Sequence, residues 1–418
     1  MNGRELALKA LIEFEKGSKA ANNFPKNRNE EKADKSMQKA YDYYYGTIKT
    51  VKRLDYILER HLENKKLKGL PAPIRNILRE GVYGLLYSDD PDYAVVNESV
   101  KLAKKYGHNG TASLVNAILR NLHPVTYPED PLEHLSTFYS FPEFLVRLLM
   151  DEYGEQTESI LKESNRPPVT TIRVNRLKTT AEEVLLSLRK EGFKAEKIDE
   201  REYNLLTESA AIYSDSFKKG YFQIQGVTQE INTGILSPGK GEIILDLCSV
   251  PGTKSTGIAE IMEDEGIVLS VDKKDLRMVS GNARRLGIKS ICPVRADVRN
   301  FRVAHANRIL LDVPCSGTGV MGKRGELRWN LNLQSLNRLV KLQREMLVSA
   351  AKNLKTGGVL VYSTCSILTA ENEKQVQWFL EENPDFIVEN IREEEPFIKN
   401  LPGSPFYDGG FGAVLIRR

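Results

Sequence analysis

Residues 243–254 read IILDLCSVPGTK, and a helical stretch follows from Ser255. Four of the first five residues are Ile or Leu, a run too short and too uniformly apolar for an amphipathic helix, so it reads as a buried strand closed by the turn at Pro251-Gly252. A strand that passes through a tight loop into a helix can turn backbone N–H groups towards a ligand. The loop has neither the GxGxxG spacing of a dinucleotide site nor the GxxxxGK[ST] spacing of a P-loop, which withdraws support from hydride and phosphoryl transfer. Taken alone, such a turn is more often a plain strand-to-helix connection.

The same texture recurs outward from this stretch. Apolar runs at 267–271, 309–311 and 358–362 alternate with helical segments, the pattern of βαβ units around a parallel sheet whose functional loops lie at the strands' carboxyl ends. The second run ends in Asp272, where a carboxylate can accept two hydrogen bonds from a ribose diol. Asp297 follows the third strand-like segment and could meet an adenine edge, although an acid there is by itself more often a helix cap. The fourth gives LLDVPCSGTG (310–319), an acid and a cysteine on a glycine-rich loop, and the fifth gives VYSTCS (361–366). The turn after the first strand, Asp272 and Asp297 fall in chain order on successive strand ends, and together they favour a nucleoside-bearing cofactor. Two cysteines, Cys315 and Cys365, at the ends of strands that would neighbour each other suit covalent chemistry, whereas Cys248 and Cys292 read as small buried hydrophobes.

Upstream, apolar residues from Arg4 to Leu122 recur at helical spacing, with breaks at Asn22–Pro25, Gly69–Pro71 and Ser88–Pro91, predicting about five helices. Prolines at 124, 128 and 131 mark a connector, and residues 142–161 predict further helices. Residues 169–174 predict a strand and 181–191 a helix, making a small α/β lobe. The expected domains are therefore 1–125, 126–235 and 236–418. A chain of 418 residues with 41% hydrophobic residues can fill two or three cores. The first residues alternate charge with Leu and Ile, as an amphipathic helix does and a signal peptide does not, and no stretch is apolar enough for a membrane span. Four cysteines without CxxC spacing suit neither a disulfide framework nor a metal site, so a reducing cytoplasm and no metal are expected. The net charge of +4 is uneven: residues 1–125 carry 22 Lys and Arg against 15 Asp and Glu, or +7, leaving −3 for the rest. That excess fits solvated helix faces and an RNA-binding surface about equally well.

Carbon 5 of cytosine is a poor nucleophile, and its methylation is prepared by adding a thiolate to carbon 6, which requires a cysteine. An acid hydrogen-bonding N3 stabilises the adduct, and a base must later take the carbon 5 proton. Asp312 and Cys315 stand where they could serve. With these residues in view, nearly the whole chain resembles the bacterial 16S ribosomal RNA cytosine-5 methyltransferases of the Sun, Fmu or RsmB type. LDLCSVPGTK is similar to that family's cofactor loop, LLDVPCSGTG to the motif holding the substrate-facing Asp and a second Cys, and VYSTCSI to the motif of the nucleophile. The resemblance implies that Cys248, Ser249, Val250, Pro251, Gly252, Thr253 and Lys254, together with Asp272, Asp297 and Asp312, contact S-adenosylmethionine. It implies that Cys365 attacks cytosine and that Cys315 assists product release. Because both cysteines are present, the choice of Cys365 rests on the resemblance and not on spacing.

Residues 92–122, DYAVVNESVKLAKKYGHNGTASLVNAILRNL, resemble the NusB-like helical domain fused to these enzymes, which tips the basic excess towards RNA. TIRVN (171–175) resembles the RNA-side lobe, residues 406–415 its closing strand, and Arg324 and Trp329 in KRGELRWNL match a segment near the family's active site, although Trp329 could equally be a core aromatic. The implied fold is an all-α NusB-like bundle, a small α/β lobe and a doubly wound Rossmann-like methyltransferase domain. The expected partner is 16S ribosomal RNA and the expected state a monomer. The chain departs from the family at Ser249, Val250 and Thr253, where Ala-Ala and a second Gly are usual, which bears on cofactor affinity. It departs again at Gln225-Gly226-Val227-Thr228-Gln229, where a Gln-Asp and Ser-Ser pattern is usual. A transfer RNA cytosine-5 methyltransferase and a non-catalytic RNA-binding assembly factor remain as alternatives.

Overall fold

The computed structural model describes residues 2–17, 35–62, 66–198, 202–303, 305–391, 395–403 and 408–418. The predicted break at Asn22–Pro25 lies outside them. The chain forms two compact units, one of Met1–Asn165 with Arg324–Asn330 and one of Arg166–Lys323 with Leu331–Arg418.

The first unit is helical. Five α-helices among the described residues, Gly3–Glu15, Lys35–His61, Ala72–Tyr87, Asp92–Tyr106 and Asn109–Arg120, match the predicted number, and Pro71 and Pro91 stand immediately before the third and fourth. Proline fits a helix start because the first N–H groups have no partner within the helix. Pairs four residues apart, such as Leu54 with Leu58, Ile74 with Leu78 and Val115 with Leu119, face one core. Helices Pro131–Phe138, Glu143–Tyr153 and Thr157–Glu163 follow. Arg328 is buried in this unit, where its guanidinium donates to Lys49 O and Asn165 Oδ1 and lies 3.7 Å from the Phe141 ring centre. Trp329 donates from Nε1 to Ile48 O at 2.8 Å and packs beside Tyr43 and Tyr44, which is the core role open to it from sequence.

The second unit contains two sheets. The smaller is antiparallel, with β1 (Thr170–Val174), β2 (Ala195–Lys197), β3 (Asn204–Thr207) and β4 (Phe222–Ile224) in the order β2-β3-β1-β4. The helix Ala181–Lys190, started by a Thr180–Glu183 capping box, covers it with Val184 and Leu188. The larger sheet comprises β5 (Ile243–Leu247), β6 (Ile267–Asp272), β7 (Ile291–Arg295), β8 (Ala306–Asp312), β9 (Leu354–Thr364), β10 (Phe386–Glu389), β11 (Phe397–Asn400) and β12 (Gly410–Arg417). Its order is β10-β12-β9-β8-β5-β6-β7, with β11 also paired to β12. β5 to β9 run parallel, whereas β10, β11 and β12 pair antiparallel.

Neighbours along one strand feed opposite cores. Leu245, Leu311 and Leu360 pack on one face, and Ile244, Leu310 and Val361 on the other. Burial on both faces explains why these strands read as continuous apolar runs. The chain order reverses between β5 and β8, and a doubly wound sheet opens a crevice at the carboxyl ends of such a strand pair. No helix among the described residues is long and apolar enough to cross a membrane.

Candidate active site

The crevice beyond β5, β8 and β9 gathers most of the predicted site residues. After β5, Cys248 adopts a left-handed backbone (φ 65°), and Cys248 and Ser249 both donate their N–H groups to Val271 O at the end of β6. A cis Val250-Pro251 bond and Gly252 (φ 93°) then carry the chain into the helix Thr253–Ile261. Glycine is required at 252, since a Cβ there would lie 2.9 Å from the Val279 backbone. Asp272, at the end of β6, accepts Val250 N–H at 3.1 Å and Lys274 N–H at 2.9 Å, so its carboxylate fixes the loop. Asp246 is fully buried on β5 and accepts from Ser255 Oγ, while its second oxygen has no partner; burial pushes its carboxyl up to about 7.

Lys254 reaches back from the first turn of that helix to Asp312 at the end of β8, with Nζ 2.5 Å from Oδ2. The other Asp312 oxygen accepts from Ser363 Oγ at 3.1 Å, and Ser363 is itself held by Asn232 Nδ2 at 2.9 Å. Beside this pair, Cys315 Sγ lies 3.2 Å from Cys365 Sγ, with both residues partly exposed. The contact follows from register, because Asp312 pairs with Ser363 in the parallel ladder and both chains leave the sheet together. The Cys315 thiol is held well above its ordinary range by its hydrogen bond with Cys365, by burial, and by charge on Cys365, Glu371 and Asp312. Thr228, Gln229, Lys254, Asp312, Cys365 and Asp408 line one pocket.

Two predicted residues stand apart from this cluster. Asp297 is engaged by Arg299, which donates from Nη2 at 2.7 Å and from its backbone N–H at 3.0 Å, and this pairing lowers the carboxyl to about 2. Cys248 turns its sulfur to Met346 Sδ at 3.9 Å, and burial raises its thiol pKa. Cys292 corrects the expectation of a buried hydrophobe: it is exposed, because β7 is an edge strand of the sheet.

Sequence reading misses the supports of this site. Arg173 on β1 is buried and donates to Glu260 at 2.8 Å, to Thr256 Oγ1 and Thr253 O at 3.0 Å, and to Gln225, clamping the smaller sheet to the helix of the cofactor-type loop. Glu371 and Gln343, which hold the Cys315 loop, carry no motif. An unpaired guanidinium cannot remain buried, so Arg173 within the strand TTIRV is the one available signal.

A mixed sheet wound both ways from β5, with an acid-bearing loop and a thiol pair in its crevice, is the architecture of a methyltransferase. Residues 233–406 match the family described as 16S rRNA methyltransferase RsmB/F, residues 1–124 the NusB family, and residues 141–210 the ferredoxin-like domain of RsmF/B-like methyltransferases. The chain is 35% identical over 439 residues to the Bacillus subtilis (strain 168) protein named "Probable ribosomal RNA small subunit methyltransferase B", covering 99% of this chain and 97% of that one. It is 30% identical over 430 residues to ribosomal RNA small subunit methyltransferase B of Escherichia coli (strain K12), covering 100% and 99%. Among solved structures, PH0851 is 27% identical and superposes with a TM-score of 0.82 over 99% of this chain and 98% of that one. NSun6 from Pyrococcus horikoshii, at 23% identity, gives 0.61 over 67% and 99% and shares the fold. The chain belongs to the ribosomal RNA small subunit methyltransferase B family and is an RNA methyltransferase.

Proposed function

We propose that this enzyme methylates carbon 5 of a cytosine in 16S ribosomal RNA, with S-adenosylmethionine as the methyl donor and Cys365 as the covalent nucleophile. The observation that carries the reading is the 3.2 Å contact between Cys315 Sγ and Cys365 Sγ beside the Lys254–Asp312 pair. The Cys365 thiolate adds to carbon 6 of the flipped-out base, forming an S–C6 bond and leaving carbon 5 electron-rich. Asp312 steadies the pyrimidine edge at N3. After carbon 5 is methylated, a base takes its proton, the S–C6 bond breaks, and the electrons return to the Cys365 sulfur. Cys315 assists that release by donating a hydrogen bond to the departing sulfur.

The crevice suits the cofactor chemically. Residues Cys248 to Lys254 and Asp272 form the loop and acid that would hold it, with Asp312 towards the donor end and Asp297 beyond β7. Ser249 Oγ is buried without a hydrogen-bond partner, which leaves a polar atom of this loop available. When bound, S-adenosylmethionine supplies an electrophilic methyl group on a sulfonium. The helical unit would add RNA affinity through its basic excess. We place the enzyme in the cytoplasm, acting as a monomer without a metal.

The test uses tritiated S-adenosylmethionine, unmodified 16S RNA and transfer RNA, and the native, C365A and C315A proteins, followed by bisulfite sequencing. Native enzyme should label one cytosine, C365A none, and C315A should accumulate an enzyme–RNA adduct. Label in transfer RNA alone would favour a transfer RNA enzyme. RNA binding without any label would favour an assembly factor.

A further inference from the structure

The loops that carry the two cysteines are joined by one buried hydrogen-bond network, and its centre is Glu371, to which the reaction above gives no role. Glu371 sits on the single turn Thr369–Glu371 after β9 and is fully buried. Its Oε1 accepts the Ser316 backbone N–H at 2.9 Å and Gln343 Nε2 at 2.9 Å, and its Oε2 accepts from Ser316 Oγ. Gln343 Nε2 also donates to Pro314 O at 3.0 Å, so the residues on both sides of Cys315 are anchored. Tyr362 OH donates to the Glu371 carbonyl at 2.7 Å, Ser316 Oγ reaches Ser366 Oγ at 3.2 Å, and Gly319 N–H donates to Cys365 O at 3.0 Å.

Ser316 and Gln343, which donate to the Glu371 carboxylate, are neutral. A carboxylate buried among neutral donors opposes a second negative charge beside it. Around the Cys315 thiol stand the acids Cys365, Glu371 and Asp312, while the nearby cation, Lys254, is paired to Asp312.

We propose that Glu371 is a positioning residue that makes the two cysteines unequal, fixing Cys315 as the S–H donor and leaving Cys365 as the sulfur that accepts this hydrogen bond and attacks. The proposal rests on the reading of Cys365 as nucleophile, and it supplies a physical reason for that choice, which motif spacing alone does not.

Thiol alkylation tests it without RNA. Native protein, E371Q and S316A are treated with iodoacetamide over a pH series, and each cysteine is followed by mass spectrometry. In the native protein Cys365 should be alkylated faster than Cys315. E371Q keeps the side-chain shape but cannot carry a negative charge, so the Cys315 midpoint should fall. S316A removes a donor from the carboxylate, so the same midpoint should rise. With RNA, E371Q should lose about tenfold in kcat while KM for RNA stays unchanged, a split that a merely loosened fold would not give. An unmoved Cys315 midpoint in folded E371Q, or a shift of both variants in one direction, overturns the proposal. Trapping native enzyme on 5-fluorocytidine RNA keeps the readings separate: an adduct mapped to another residue sinks the nucleophile assignment and leaves the alkylation result standing.

Discussion

Lys254 and Asp312 form an ion pair across the crevice of the doubly wound sheet, the lysine only 9% exposed and the carboxylate 29%, and the pair joins the cofactor-type loop to the end of β8. Burial opposes the charge on Lys254, but Asp312 more than compensates, holding the ammonium above its ordinary value. Replacing Lys254 by Met should therefore leave Asp312 without its ion-pair partner on one oxygen. Because Asp312 is partly solvated, the cost should be about 2–3 kcal/mol, below that of a fully buried pair. Denaturant melts of native and K254M protein measure it, and equal midpoints would show the pair to be energetically idle.

A second prediction concerns Gly252. Its φ of 93° costs an L-residue roughly 1–2 kcal/mol, and a Cβ would press on Val279 backbone, which cannot rotate away. G252A should weaken binding of S-adenosylhomocysteine about tenfold or more, measured by calorimetry, while the separate helical unit melts as before. Unchanged affinity would remove this loop from the cofactor site.

What can be read from sequence follows from where the signals are written. Leu310-Leu311 and Ile243-Ile244-Leu245 announce strands because both faces of the sheet are covered, and the acids and cysteines announce a site because they fall where those strands end. The short edge strands β10 and β11 are not legible, since a few half-buried residues carry no periodicity. Ser316, Gln343 and Glu371 meet across 55 positions of chain, and no local pattern encodes a contact of that span. Arg173 stands out only as a charge within a predicted strand, because its partner Glu260 lies far downstream.

The departure at Gly226 also has a structural expression. A Cβ at this position would lie 2.5 Å from Asp408 Oδ2, the oxygen that pairs with Lys323 Nζ at 2.7 Å. A carboxylate at the end of a side chain can yield to a methyl group, so G226A should melt close to native. G226D, which restores the acid usual in the family, would set two carboxylates against one lysine. Like charges sharing a site raise one pKa, so the variant should melt below native at pH 8 and recover at about pH 5, where one acid takes a proton. Scanning calorimetry at both values decides it, and a G226D melt matching native at the higher pH would contradict this crowding.

Glu80 gives the helical unit a pH dependence of predictable sign. It is completely buried on the helix Ala72–Tyr87, neither carboxyl oxygen has a hydrogen-bond partner, and burial pushes it up to about 8, with Arg4 opposing. In the unfolded chain the group titrates near 4.5. Between these values the folded unit holds a proton that the unfolded chain has lost, so stability falls as pH rises through this window and levels off above about 8. The loss should reach several kcal/mol, at about 1.4 kcal/mol for each pH unit crossed between the two values. E80Q keeps the shape and cannot ionise, so its melting temperature should be nearly flat over the same range and exceed native most at the alkaline end. Thermal melts of the two proteins at pH 5, 6.5 and 8 make the comparison, and parallel curves would mean that Glu80 is paired or hydrated in solution.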